Sequence, residues 1–241
     1  MSEPGAAPAP LAELVAVMRR LRAECGWKSA QTHRSLARYL LEEAHEALEA
    51  IDVVAETGDA APLREELGDV LLQVCFHAAV AEERGDFDLD DVAAGLVAKL
   101  RRRNPHVFAA DGPAPADARA VNELWESVKA AEKPRASLVD GLPPTLPALL
   151  LADKVLDRLA RREGAPPAAD DLAPGTPEAE VAARAVGDDL LAVLAGARGS
   201  GVDPEQALRD AVRRLLAARD PLAVASDPPT DGEAGAAPRR R

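Results

Sequence analysis

Five carboxylates fall at spacings that could gather them around one cation. Glu42, Glu43 and Glu46 lie in one predicted helix, and Glu66 and Asp69 in the next. Glu43 and Glu46 stand three residues apart, as do Glu66 and Asp69, so each pair shares one face of its helix. Two neighbouring antiparallel helices would aim those four groups at a common point. Like charges three apart weaken an isolated helix by about 0.2–0.5 kcal/mol per pair. Gathering four of them in a partly buried place costs far more unless a cation offsets them. An all-oxygen donor set, with no Cys in it, suits Mg2+ or Mn2+ rather than zinc. Most helical Glu are simply solvated. Here, however, Glu43 and Glu46 border the apolar stripe of Leu40, Ala44 and Ala47 rather than opposing it. Gly68 costs about 1 kcal/mol against Ala inside a helix. A close approach of a helix or ligand beside Asp69 would account for keeping it. Glu42 and His45 also have the Glu-x-x-His spacing of di-iron bundles, but that architecture needs the motif twice and the second copy is absent. His45 is therefore read as a surface or outer residue.

Cations follow further along. Lys99 and Arg103 are four apart at the end of a predicted helix, with Arg101 and Arg102 between them. They complement the dipole of that helix end, or they clamp a phosphate, Lys as a point charge and Arg as a fork. Trp27, in Gly26-Trp27-Lys28, is expected in a loop before the Glu-bearing helix. There it is either a core plug or a face against which a nucleobase stacks.

The elements that must position these groups are all helical. Leu11, Leu14, Val15, Met18 and Leu21 recur at helical spacing after Pro10. The next stripe, Leu36 to Ile51, predicts a helix over about 33–57 that Gly58 stops. Leu63, Leu67, Val70, Leu71, Val74 and Ala78 predict another, after Pro62 and ending at Gly85. Asp88 can cap a fourth, which Asn104-Pro105 ends. A fifth is expected over about 117–133, and further helices over about 145–163, 178–198 and 204–219. Val186-Gly187-Asp188 before an apolar run resembles Leu67-Gly68-Asp69, so the later helices read as a worn repeat of the earlier ones. The expected organisation is a disordered tail at 1–7, a helical domain at 8–133, a Pro-rich linker at 134–147, a degenerate second helical lobe at 148–222 and a disordered tail at 223–241.

The chain has 241 residues and a net charge of −12, from 29 Lys+Arg against 41 Asp+Glu. That balance argues against an extended nucleic-acid face, which needs surplus Lys and Arg. It leaves room for a small phosphorylated ligand if a metal offsets the acids. Apolar residues make up 47% and aromatics 2%, dominated by helix-compatible Ala, Leu and Val, so the expected fold class is all-α. Cys25 and Cys75 cannot build a disulfide framework and are read as reduced thiols. The start of the chain does not resemble a signal peptide, and no apolar run approaches a membrane span. The expected compartment is the cytoplasm, with no membrane partner.

Taken in order, the motifs resemble a known family. They run Gly26-Trp27-Lys28-x-x-Gln31-Thr32, Leu41-Glu42-Glu43-x-x-Glu46, Glu65-Glu66-Leu67-Gly68-Asp69, Lys99-Leu100-x-Arg102-Arg103-x-Pro105-His106-Val107-Phe108 and Trp125-Glu126-x-x-Lys129. The series resembles the MazG family of nucleoside triphosphate pyrophosphohydrolases, over about residues 8–133. The remainder looks like that family's second domain, entered at Leu146-Pro147-Ala148-Leu149, but Ala185 stands where Glu66 has its counterpart and only Asp188 remains. The second copy thus lacks a complete metal site and reads as a packing or dimerisation lobe.

The resemblance implies an all-α bundle, usually dimeric, that uses Mg2+ to cleave an NTP or dNTP between the α- and β-phosphates. By motif position it implies Glu43, Glu46, Glu66 and Asp69 as metal ligands. Glu42 is then the group that orients or deprotonates water, and Lys99 and Arg103 hold the phosphates. Trp27, Lys28 and Lys129 are implied as further substrate-binding residues. The role expected is nucleotide-pool cleaning. The alternative from another class is a non-catalytic helical module that senses nucleotides, motivated by the shortened second lobe and the long tails.

Overall fold

The computed structural model describes residues 9–132, 136–164 and 175–220, and the two expected tails, 1–7 and 223–241, lie outside the described residues. All the regular elements among the described residues are helices, and no strand occurs among them. Contacts divide the chain into two units, with the boundary between Ala114 and Pro115.

The first unit contains α1 (Pro10–Glu24), α2 (Gly26–Ser29), α3 (His33–Thr57), α4 (Ala61–Glu82), α5 (Leu89–Arg103) and α6 (Pro105–Phe108). Its framework is the α3–α4 hairpin. Thr32 caps α3: its hydroxyl accepts from the Ser35 N–H at 3.2 Å, and the Ser35 hydroxyl accepts from the Thr32 N–H at 2.9 Å. At the other end Gly58 adopts φ 76° and donates to the Val54 carbonyl at 2.9 Å, a left-handed stop that a β-carbon would strain. Pro62 then sits in the first turn of α4, where its missing N–H costs nothing. So tight a connection forces the helices to run antiparallel. The cross-helix pairs Glu43–Gln73 and His33–His77 mark that register.

The core of this unit is Met18, Leu36, Cys75, Phe76, Ala79 and Val80, with Leu14, Tyr39, Leu71, Leu72 and Leu89 packed on it. It lies towards the α1 end of the hairpin. Asp88 and Asp91 form a reciprocal cap that starts α5, which packs on α4.

The second unit contains α7 (Ala118–Glu132), α8 (Ala148–Arg162), α9 (Pro177–Gly199) and α10 (Pro204–Arg219). Leu138, Val155, Leu159, Val212 and Leu216 form its core. Asp220, 2% exposed, ties it together, accepting from the Ser137 hydroxyl at 2.9 Å and from the Leu138 N–H, with Arg162 at 3.5 Å.

By contacts, the residues of α7, expected within the 8–133 domain, group with the later helices. In the described part of the 134–147 segment, Leu138 is buried and Asp140 accepts from the Ala136 and Ser137 N–H groups. Within this chain a β-carbon at Gly68 would meet open space, so no helix of the chain itself makes the close approach expected there.

Candidate metal centre

The hairpin register brings acids of α3 opposite acids of α4. Glu43, Glu46 and Glu66 each offer a carboxylate oxygen, and all three lie within 4.8 Å of one another. Asp69 is outside that trio but close enough to act on it. Burial, then Asp69 and Glu46, hold the Glu43 carboxyl above the ordinary range. Burial, then Glu46 and Asp69, do the same to Glu66. Acids crowded in this way, with Glu43 and Glu66 half-buried and Glu46 exposed, fit a hard divalent cation such as Mg2+ or Mn2+. The fit rests on donor chemistry: three or four anionic oxygens and no sulfur or imidazole.

Gln73, missed in the sequence, lies one helical turn beyond Asp69 on α4 and is 5% exposed. Its Nε2 donates to Glu43 Oε1 at 3.3 Å. Its own Oε1 is buried and has no hydrogen-bond partner among the described residues. A buried acceptor left open costs about 1–3 kcal/mol, so its position beside the carboxylates is informative. A helical Gln carries no local signal of this role; only the pairing 30 residues away reveals it.

Glu42 is directed elsewhere: it pairs with Arg38 on its own helix at 3.4 Å, and both are exposed. His45 is exposed, as read from the sequence. Lys99 is half-buried on α5, as is Arg103, and α5 packs on the helix that carries Glu66 and Asp69. Lys129 belongs to the second unit, where it pairs with Glu126 at 2.7 Å.

Trp27 does not lie in an irregular loop: it belongs to the single-turn helix α2, too short to show a period. Nor is it a core plug, being 52% exposed. Its ring meets Tyr39 edge-on at 6.0 Å and Phe76 at 6.5 Å. The Lys28 ammonium sits 5.4 Å from the Trp27 ring centre and 5.2 Å from that of Phe76. Beyond this group, His33 and His77 stack with their Nδ1 atoms 2.9 Å apart, and burial, then His33, lower the pKa of His77.

The MazG nucleotide pyrophosphohydrolase domain family matches residues 31–108, which span the carboxylate trio, Gln73 and Lys99. A Thermotoga maritima protein named nucleoside triphosphate pyrophosphohydrolase/pyrophosphatase MazG is 38% identical over 85% of this chain and 82% of its own length. A Mycobacterium tuberculosis nucleoside triphosphate pyrophosphohydrolase is 41% identical over 89% of this chain and 60% of its own. An uncharacterised 26.1 kDa Streptomyces cacaoi protein is 44% identical over 84% of this chain and 78% of its own.

Proposed function

The chain belongs to the MazG nucleotide pyrophosphohydrolase family, and we propose that it hydrolyses nucleoside triphosphates, NTP or dNTP, to the monophosphate and pyrophosphate with the aid of Mg2+ or Mn2+. The observation that carries this reading is the convergence of Glu43, Glu46 and Glu66 within 4.8 Å across the α3–α4 hairpin. Those three, with Asp69, would hold the ion. Bound there, a divalent cation offsets the charge of the substrate and polarises a phosphoryl oxygen.

The protein's own groups account for the rest. A water oxygen forms a bond to the α-phosphorus while the bond from that phosphorus to the α–β bridging oxygen breaks, and pyrophosphate leaves with the bonding electron pair. Glu42 is the proposed acceptor of the water proton, which requires it to exchange out of its surface pair with Arg38. A surface pair of this kind is worth about 1 kcal/mol or less, so the exchange is cheap. Lys99 and Arg103 would offset charge that develops on the leaving pyrophosphate. Trp27, with Lys28 beside it, would present a flat apolar face to the base.

A homodimer completes it. Leu41, Leu48 and Ile51 on α3 and Leu67 on α4 are 60%, 58%, 48% and 54% exposed, an apolar surface of the kind that a second subunit covers. No described helix is long and apolar enough to cross a membrane. The decisive experiment is product analysis with Mg2+ and a panel of NTPs and dNTPs. NMP with pyrophosphate supports the reading. NDP with phosphate overturns it, and binding without turnover favours a nucleotide-sensing module.

A further inference from the structure

Arg22 is buried, 7% exposed, near the end of α1. A guanidinium loses much of its hydration there, so its donors must be met. They are met by two groups distant from one another in sequence. Nε donates to one oxygen of Glu83 at 2.7 Å and Nη2 to the other at 2.5 Å, a two-pronged pair. Nη1 donates to the carbonyls of Lys28 and of Gln31, the latter at 3.1 Å. The plane lies over Phe76, 5.8 Å from its ring centre. Glu83 holds Arg22 strongly enough that its own carboxyl falls below the usual range, through the Arg22 hydrogen bonds.

The two carbonyls belong to Lys28, the residue after Trp27, and to Gln31, three residues further on. The Gln31 side chain in turn donates to the Trp27 carbonyl at 3.0 Å, and the Gln31 N–H donates to the Lys28 carbonyl at 3.2 Å. A four-residue helix has too few internal bonds to hold its own attitude. Its orientation against Phe76 and Tyr39 therefore depends on the Arg22 fork, which Glu83 locks from the C-cap position just after α4.

We propose that Arg22, closed on Glu83, is a positioning residue that sets the attitude of the Trp27–Lys28 face and through it the affinity for the nucleotide. The link to nucleotide rests on the function proposed above; the link to Trp27 does not. A lysine keeps the charge but lacks the planar fork, and cannot reach Glu83 and both carbonyls at once.

The test compares the wild type, Arg22→Lys and Glu83→Gln by steady-state kinetics with Mg2+ and NTP. Trp27 fluorescence is read separately in a Trp125→Phe background, where Trp27 is the sole indole. Arg22→Lys should raise KM about tenfold with kcat within about twofold, the signature of lost binding rather than lost chemistry. Trp27 emission should shift to the red, with greater quenching by acrylamide. Glu83→Gln should move each readout the same way and less, which keeps the test intact if Arg22→Lys folds poorly. KM and Trp27 quenching unchanged in both variants, with only thermal stability reduced, overturn the proposal. Were the wild type to hydrolyse no nucleotide, the function reading would fall. Increased Trp27 quenching would still uphold the clasp, and unchanged quenching would overturn it.

Discussion

The Gln73 amide donates to Glu43 across the α3–α4 seam at 3.3 Å, and its other end, Oε1, stays buried and open. Glu43 is thereby held by a neutral donor that cannot neutralise it. The bond favours the charged carboxylate, partly opposing the burial and the neighbouring acids that raise it. Gln73→Leu should leave the fold intact and weaken Mn2+ binding by about 10–100-fold, the usual effect of losing an outer partner of a metal ligand. Electron paramagnetic resonance of free Mn2+ reads this directly.

Metal removal should loosen the hairpin without unfolding it. Burial first, and the neighbouring acids after it, disfavour the charged carboxylates of Glu43 and Glu66 when no cation offsets them. Glu66→Gln should therefore melt higher than the wild type in chelator. It should also lose most of the stabilisation that Mg2+ gives the wild type, which is about 2.7 kcal/mol at a hundred times Kd. Thermal scans with and without Mg2+ check both signs.

Acid should open the second unit at Asp220. Burial raises its carboxyl, but the Leu138 N–H, the Ser137 hydroxyl and Arg162 outweigh it, and the net shift is downward. A folded value below the unfolded one, ordinarily about 3.9, means that the stabilisation is fully present above that pH. It is lost as pH falls through the depressed value. Asp220→Ala should remove it at neutral pH as well, at a cost of about 3 kcal/mol, since Ser137, the Leu138 N–H and Arg162 then lose a buried partner. Urea unfolding at pH 7 and pH 3 measures the difference, which should be smaller at pH 3.

Lys99→Ala and Arg103→Ala should each reduce turnover more than they alter Mn2+ affinity, if those cations act on phosphate rather than on the metal site. Turnover and Mn2+ binding, measured on the same preparations, separate the two.

Most of the architecture could be read from periodicity because the long helices carry several turns of apolar stripe. Thr32, Gly58, Pro62 and Asp88 mark helix ends by chemistry that acts within a few residues. Gly26–Ser29 and Pro105–Phe108 escaped because one turn has no period. The carboxylates were legible because i, i+3 spacing fixes a face, and the ordered motifs did the rest. Gln73, Arg22 and the His33–His77 stack were not. Each works through a partner 30 to 61 residues away, and no local pattern encodes such pairs. The burial of Leu138 within the proline-rich segment was not legible for a related reason: its partner Asp220 lies far along the chain.

The most direct test of the account is paired measurement on Glu46→Ala and Asp69→Ala: Mn2+ binding, and release of pyrophosphate from NTP with Mg2+. Both variants should keep the helical circular dichroism of the wild type, bind Mn2+ far more weakly and release no pyrophosphate. Wild-type turnover in both would contradict the assignment of these carboxylates to the metal and, with it, the proposed site.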